Sequence, residues 1–537
     1  KASWTMKHEE QKHALLSVSD RDGLDRLASE LLRRGWRLWA SRGTAKWLRE
    51  HDIDTAELES LTGFAERVGG RVKTLDARIH AAILARADED DELRDLGAPR
   101  FSLAVVNCYP FAEARARGDS DLAEQIDIGG PAMLRAAAKN HLLCAPVPSP
   151  LFYDEVIAAL GDNDGAVPAA LARRLAAATF AFSANYDAAI ADWFAAGTKE
   201  ETKFGTEDAA PFAGMNALEG HELRYGENPH QRGWLYRGSG AGGVAGAKLV
   251  QGAAMSYNNY ADLDAAWRLV RGFAEPAAVV VKHATPCAVC AAESLPAAIA
   301  GAFGAGDESV FGGVVACNRP LDADAVEAFG DIFLELVAAP EADVEARDVF
   351  AKRRPRLRVL EVAGAGGGLQ HKTIDGGVLA QGDIFGEASV ESAVGTAVGT
   401  SAVSDEGWRC VTARAPSDDD RALMLFAWRV AAAVLSNAVV AARRGGDGSL
   451  VTLAIAGGRT SRLDAARAVA ERVGGERGWV AASDGFFPFA DGLEVLARAG
   501  AGVVVQPGGS RGDGEVVAAA DALDVAMVFT GQRVFRH

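Results

Sequence analysis

Residues 13–44 read HALLSVSDRDGLDRLASELLRRGWRLWASRGT. HALLSVS is an apolar run that suits a buried strand, and the period then changes. Leu24, Leu27, Ala28, Leu31 and Leu32 recur at helical spacing and fall on one face. Gly35 stops that helix, and WRLWA is a second strand. SRGTAKWLREHD supplies a turn and another helix. Further on, LAVVNCYPF is an apolar strand that ends in polar residues. Strands alternating with helices in this way specify an α/β fold with a doubly wound parallel sheet. Ligands of such sheets bind beyond the carboxyl ends of the strands, which makes the residues after each apolar run the first candidates for a site.

The chain has 537 residues, enough for about three or four folding units or two large ones. Its net charge of −17 argues against wholesale binding of nucleic acid or an anionic membrane, and leaves room for a local basic site for a small anion. No apolar run reaches the ~20 residues that span a bilayer. KASWT, before Met6, has no apolar h-region and reads as an added remnant outside the fold. Helices rich in alanine continue to Phe194. GTKEETKFGTEDAAPFAGMN (197–216) is polar and aperiodic and reads as a linker or long loop, and a second, larger α/β region follows. No short-period repeat is visible.

Three loops of the first region sit where a site belongs. Ser41 to Lys46 joins a strand to a helix, whose free backbone N–H groups suit phosphate. GGRVKTL carries Arg71, Lys73 and Thr74; taken alone it is a solvated basic loop. IDIGGPAMLRAAAKNH carries Asp127, two glycines that let backbone approach a ligand, Pro131 at the helix start, and Lys139 two turns on. Lys139 alone is more often a snorkelling side chain than a catalyst. With Tyr109, these loops combine a phosphate cradle with two lysines, an aspartate and a phenol. That set suits carbonyl polarisation and proton transfer in a condensation. It does not suit hydride transfer, because the Gly-x-Gly-x-x-Gly fingerprint is absent.

In the second region, VVVKHATPCAVC (279–290) ends an apolar run in Lys282 and His283, with Cys287 and Cys290 in C-x-x-C spacing. A structural zinc site needs four ligands, and the sequence has no second C-x-x-C and no His-x3-His. Six cysteines in this length, several in apolar surroundings, fit buried free thiols in a reducing cytoplasm. The plain reading of the two cysteines is apolar filling beside a strand end, and the Lys–His pair carries the chemical interest.

SVSDRDGL, GGRVKTL, VVNCYPF and IDIGGPAMLRAAAKNH resemble the N-terminal half of the AICAR transformylase/IMP cyclohydrolase family of purine biosynthesis. LRYGENPHQ, SYNNYADLDAAW, VKHATPC, FGGVVACN, SRLDAAR, ASDGFFPFADG, QPGGS and FTGQRVFRH resemble its second half, in family order over essentially the whole chain. The resemblance implies a methylglyoxal-synthase-like cyclohydrolase domain at 6–200, a linker at 201–216, and a transformylase domain with cytidine-deaminase-like subdomains at 217–537. It implies formyl transfer from 10-formyltetrahydrofolate to aminoimidazole carboxamide ribonucleotide, then cyclisation to inosine monophosphate with loss of water. It further implies a homodimer in the cytoplasm, nucleotide and folate as small-molecule substrates, no catalytic metal, and room for a structural monovalent cation.

Residue by residue, the cyclohydrolase groups correspond to Lys73, Tyr109, Asp127 and Lys139, with nucleotide contacts at Ser17, Ser19, Arg21, Ser41, Thr44, Arg71 and Thr74. The transformylase acid–base pair corresponds to Lys282 and His283, with substrate contacts at Arg224, Tyr225, Asn259, Glu335, Asn437, Arg462, Phe489, Arg533 and His537. This chain departs from the family at Arg21 (usually lysine), Arg42 (usually glycine), Asp76-Ala77 (usually His-Pro), Leu435 (usually lysine or glutamine), Arg459 (usually glutamine) and Ala490 (usually arginine), with extra residues near Gly445 to Gly448. These departures leave a second reading open: a paralogue acting on a related amino-carboxamide heterocycle in a specialised nucleoside pathway, or one that has lost an activity. A non-catalytic nucleotide-binding or assembly role is a third reading. The intact Lys73, Lys139, Lys282 and His283 argue against it, since binding alone has no chemical need of them.

Overall fold

The computed structural model describes residues 11–63, 72, 74–163, 165–196, 217–238, 242–364, 369–375, 377–385 and 403–537. The chain divides into two compact units, Lys1–Leu218 and Glu219–His537. The expected linker, the tip of GGRVKTL and the last four residues of AGAGGG (363–368) lie outside the described residues.

The first unit is a parallel sheet of β1 (His13–Ser17), β2 (Arg37–Ala40), β3 (Ala56–Glu57), β4 (Phe101–Val106) and β5 (Ala145–Val147), in the order β3-β2-β1-β4-β5. Its helices include α1 (Leu24–Arg33), α2 (Arg42–Glu50), α3 (Ala77–Leu84), α4 (Phe111–Arg117), α5 (Gly129–Lys139), α6 (Tyr153–Asp162) and α7 (Ala169–Ala196). Side chains alternate across a strand, so Ala14 and Leu16 join one core with α1 and α6, while Leu15 joins the other with α3 and α5. Both faces are covered, which is why these strands read as unbroken apolar runs. α1 ends as its sequence requires: Gly35 takes φ 77°, and Trp36 N–H returns to Leu31 O at 3.0 Å. α5 starts two residues before Pro131, and Lys139 is its last residue.

The second unit holds one sheet of twelve strands. The hairpin β6 (Ala217–Leu223) and β7 (Gly233–Gly238) precedes it. Its first half runs β8 (Lys248–Gln251), α8 (Tyr257–Val270), β9 (Ala277–Lys282), β10 (Thr285–Ala291), α9 (Leu295–Ala305), β11 (Gly313–Cys317), α10 (Ala323–Ala328), β12 (Leu334–Ala339), α11 (Val344–Arg353) and β13 (Arg358–Glu361). After the hairpin β14 (Leu369–Ile374) and β15 (Gly377–Gly382), the same series returns. It runs β16 (Arg409–Cys410), α12 (Asp418–Ala433), β17 (Val439–Arg444), β18 (Leu450–Ala456), α13 (Arg462–Arg472), β19 (Trp479–Ser483), α14 (Ala490–Arg498), β20 (Ala501–Gln506), α15 (Asp513–Ala522) and β21 (Ala526–Phe529).

The sheet order, β16-β21-β20-β19-β17-β18-β10-β9-β11-β12-β13-β8, reads the same from either end once the halves are matched. The unit is therefore an internal duplication, and its two halves are the subdomains the resemblance implies. Local signals repeat too. Ser256 with Asn259 and Ser417 with Asp420 close capping boxes at the starts of α8 and α12. Ser294 and Ser461 cap α9 and α13. α8 and α12 share one core that spans both halves, and the other helices form a separate core over each half.

GGDGSL is the turn between β17 and β18. Cys287 and Cys290 are free, and a bulge between Pro286 and Ala288 lets both pack toward the apolar cluster under α9. Burial pushes the Cys287 thiol up to about 11 and the Cys290 thiol to about 12. A Cβ on Gly301 of α9 would meet Cys290 Sγ at 2.5 Å. Gly301→Ala is therefore expected to lower stability by about 1–3 kcal/mol, as overpacking does. Adding Cys290→Ala should recover part of that loss, which urea unfolding of the two single variants and the double variant measures.

Candidate active sites

In the first unit the polar loops meet at the carboxyl ends of β1, β2 and β4. Ser17 Oγ donates to Ser41 Oγ at 3.1 Å, and Ser41 Oγ to Thr44 Oγ1 at 3.2 Å. Thr44 Oγ1 in turn accepts the Val18 amide at 3.1 Å. Asn107, just past β4, accepts the amides of Ser19 (2.7 Å) and Asp20 (2.9 Å) on Oδ1 and returns Nδ2 to Asp20 O at 3.0 Å. The start of α2 has no side-chain cap, and the Arg21 guanidinium comes within 4.0 Å of where a Cβ on Gly43 would stand. Uncapped amides, the positive helix end and a guanidinium together suit a phosphate. Asn107 was not among the expected residues, although a polar residue directly after an apolar strand marks such positions.

Asp127 is fixed by its neighbours. Its Oδ1 accepts the Gly130 amide at 2.8 Å, and its own amide donates to the Tyr186 hydroxyl at 2.8 Å. Gly130 has to be glycine, since a Cβ there would lie 2.6 Å from the Asp127 carboxylate. A Cβ on Gly129 would collide with the buried Thr74 hydroxyl, so the KTL and IDIGG loops are in contact. Cys108 lies close enough to Asp127 for the carboxylate to add to the upward shift that burial gives its thiol, and exposed Tyr109 follows it in the chain. Lys139, exposed, stands at the far end of α5, about 15 Å along the axis from Gly129. Arg71 and Lys73 lie outside the described residues. Asp76 caps α3 by accepting the Arg78 amide at 2.8 Å, so that departure from the family serves the helix.

In the second unit, antiparallel pairing of β10 with β18 brings the groups of both halves to one edge of the sheet. Lys282 closes β9 and donates Nζ to Phe311 O at 3.0 Å. His283 is exposed in the tight turn that follows. On the same edge, a cavity of about 510 Å³ is lined by Asn437, Arg462, Phe486, Phe489, Asp491 and Phe535, among others. Arg462 is buried and ion-paired with Asp484, which is fully buried; its Nη1 also donates to Ala438 O and Ser483 Oγ at 3.1 Å each. Arg462 Nε and Asp484 Oδ2 make no hydrogen bond among the described residues. Asn437 is oriented by Arg459 O, which accepts its amide at 3.0 Å and its Nδ2 at 2.8 Å. The Arg533 guanidinium lies 5.2 Å from the Phe535 ring, His537 packs edge-on to that ring at 5.7 Å, and Arg462 faces it at 6.0 Å.

The remaining expected residues lie elsewhere. Asn259 is buried and engaged in its capping box. Glu335 pairs with Arg358 at 3.0 Å, on the same sheet edge as Lys282 but two strands away, roughly 10 Å. Arg224 and Tyr225, stacked at 5.7 Å, stand on the loop after β6 and do not line the cavity. Leu435 acts through its backbone, its O accepting Gly458 N–H at 2.7 Å. Ala490 is buried at the start of α14.

Two α/β units, each gathering polar groups at one edge of its sheet, define a two-site enzyme. Residues 23–132 match the model of the MGS-like domain, and residues 137–472 that of the AICARFT/IMPCHase bienzyme. The bifunctional purine biosynthesis protein PurH of Roseobacter denitrificans is 42% identical over 550 aligned positions, covering 98% of this chain and 99% of that protein. The protein of the same name from Cereibacter sphaeroides is 43% identical over 548 positions, covering 98% of each. A solved chain described as the crystal structure of ForH is 37% identical over 34% of this chain and all of its own, with a TM-score of 0.31. The chain belongs to the AICARFT/IMPCHase bienzyme family. Among the described residues no helix is long and apolar enough to cross a membrane.

Arg462→Met would leave Asp484 buried without its counter-charge. A loss of about 3–5 kcal/mol in urea unfolding is expected, with a smaller loss for Arg462→Met combined with Asp484→Asn.

Proposed function

We propose that the chain catalyses both reactions of its family. In this reading residues 217–537 transfer a formyl group from 10-formyltetrahydrofolate to aminoimidazole carboxamide ribonucleotide. Residues 6–200 close the formylated product to inosine monophosphate, releasing water. The observation that carries the reading is the edge of the twelve-stranded sheet, where a Lys–His pair and an aromatic, arginine-floored cavity share one side.

The substrate amine is conjugated with its ring and is a poor nucleophile. His283, exposed at its turn, takes the amine proton directly or through the neighbouring carboxamide as attack proceeds. Lys282 is held by Phe311 O at the end of β9. It stabilises the developing oxyanion and protonates the departing folate nitrogen. Phe486, Phe489 and Phe535 give a planar ligand faces to stack on. Arg462 Nε offers a donor toward the cavity.

In the first unit, Arg21 and the start of α2 hold the phosphate, Tyr109 and Asp127 relay protons, and Lys73 polarises the formyl oxygen. Lys139 is the outlier, since the length of α5 keeps it from the atom Asp127 serves. A second copy bringing its Lys139 to that end of α5 completes the set, so a homodimer is part of the proposal, as is a cytoplasmic location. The departures at Asp76, Leu435 and Arg459 act through a helix cap or through backbone, which favours the ordinary substrates over a changed heterocycle.

Full-length protein is assayed for both half-reactions. His283→Ala and Lys282→Ala should each lower kcat of formyl transfer by about 10²–10⁴-fold, while cyclisation of pre-formed formylated nucleotide stays at the wild-type rate. Near wild-type formyl transfer by His283→Ala sinks the assignment.

A further inference from the structure

The Lys–His pair ends in an unusual piece of backbone. His283 and the residue after it, Ala284, both take φ 54°, in the left-handed region that residues with a Cβ avoid. Two such residues in succession do not stay there unaided; something around them has to hold the turn. Two side chains from distant parts of the chain do so. Asp262, on α8, accepts the Ala284 amide on Oδ1 at 2.6 Å. Arg536, one residue from the end of the chain, donates Nη1 to Ala284 O at 3.2 Å and to Ala433 O, the last residue of α12, at 2.6 Å. One peptide segment is thus gripped by its N–H from α8 and by its C=O from the tail, and the tail is itself anchored to the end of α12.

Neither group lines the cavity, and both are half-buried. The backbone of Arg536 also accepts the Ser436 amide at 2.9 Å, next to Asn437 of the cavity. The residue that fixes the turn is therefore tied to the cavity wall.

We infer that Asp262 and Arg536 are positioning residues for formyl transfer: they hold the left-handed His283–Ala284 turn so that the imidazole and Lys282 face the substrate. The inference rests on the reading of Lys282 and His283 given above. A proton acceptor displaced by about 1 Å can lose on the order of 10²-fold in rate, so a clamp two bonds removed from the imidazole matters to turnover without touching a ligand.

The test uses the full chain with Asp262→Ala, Asp262→Asn and Arg536→Ala. Two quantities are read: steady-state formyl transfer, and hydrogen–deuterium exchange of the Ala284 amide within a peptide spanning 282–287. In Asp262→Ala the Ala284 amide loses its acceptor, so its exchange should accelerate while the β9 and β10 amides keep their protection. kcat should fall about 10²-fold with KM for the nucleotide changed by less than about threefold. Asp262→Asn keeps an oxygen at the same place and should restore both readouts. Arg536→Ala should lower kcat in the same direction, with cyclisation unchanged.

Unchanged exchange at Ala284 in Asp262→Ala overturns the clamp. So does a kcat loss that Asp262→Asn fails to rescue, or one that follows a general fall in melting temperature. A wild type without formyl transfer would instead defeat the functional reading, and the exchange measurement would still decide whether the clamp exists.

Discussion

The antiparallel pairing of β10 with β18, Cys290 against Val451 and Ala291 against Leu450, is the joint on which the second unit depends. Thr452 tightens it, its Oγ1 accepting the Val289 amide at 3.0 Å and standing 3.3 Å from Val289 O. Each half of the duplication carries its loops at the ends of its own strands. Because the seam is antiparallel, the end of β18 lies beside the start of β10. The turn after β9 and the loops before β17 and after β19 consequently share an edge. A parallel seam would send the Lys–His turn and the Arg462 cavity to opposite edges, and no repacking of side chains could bring them back.

The tail then laces that edge together. Thr530 N–H bonds Gln506 O at 2.9 Å, Val534 N–H bonds Asp484 O at 3.0 Å, and Arg536 O accepts Ser436 N–H. In eight residues the chain passes from the end of β20 past β19 and β17 to the turn beyond β9. It also delivers Phe535 over Arg462 on the way. The aromatic wall of the cavity and the support of the catalytic turn thus come from one short segment, whose backbone hydrogen bonds fix its register.

Much of the fold could be read in the chain itself. Leu24, Leu27, Ala28 and Leu31 are buried on one face of α1 as their spacing requires, and the strands at 13, 37 and 101 lie where their apolar runs place them. The duplication was not legible, because the halves keep topology and caps while their sequences have diverged, and no short period survives. The candidate site was legible where chemistry resides in the side chain, as with Lys282, His283 and Arg462. It was not legible for Asp262, Arg536 and Asn107, whose work is done on backbone groups. An aspartate in the middle of a helix looks like a solvated face until the turn it holds is seen. Asn259 misled in the other sense: as the third residue of a capping box it is engaged with its own helix.

The duplication also explains why one half carries a cavity floor and the other does not. In the first half Asn318 follows β11, accepts the Ala277 amide on Oδ1 at 2.8 Å, and returns its own Nδ2 to Phe273 O and Glu275 O. In the second half the matching residue is Asp484, which accepts the Ala438 amide at 3.0 Å but has no donor to return. A neutral amide closes its own network, whereas a buried carboxylate needs a cation. That cation is Arg462, the first residue of α13, where the first half has buried Leu295 as the first residue of α9. The exchange of Asn for Asp on one strand end thus entails Leu for Arg on the neighbouring helix. With the arginine comes a guanidinium whose Nε has no protein partner among the described residues. The structural half saturates its polar groups internally. The other half leaves one donor over at the floor of a cavity, where a ligand can use it.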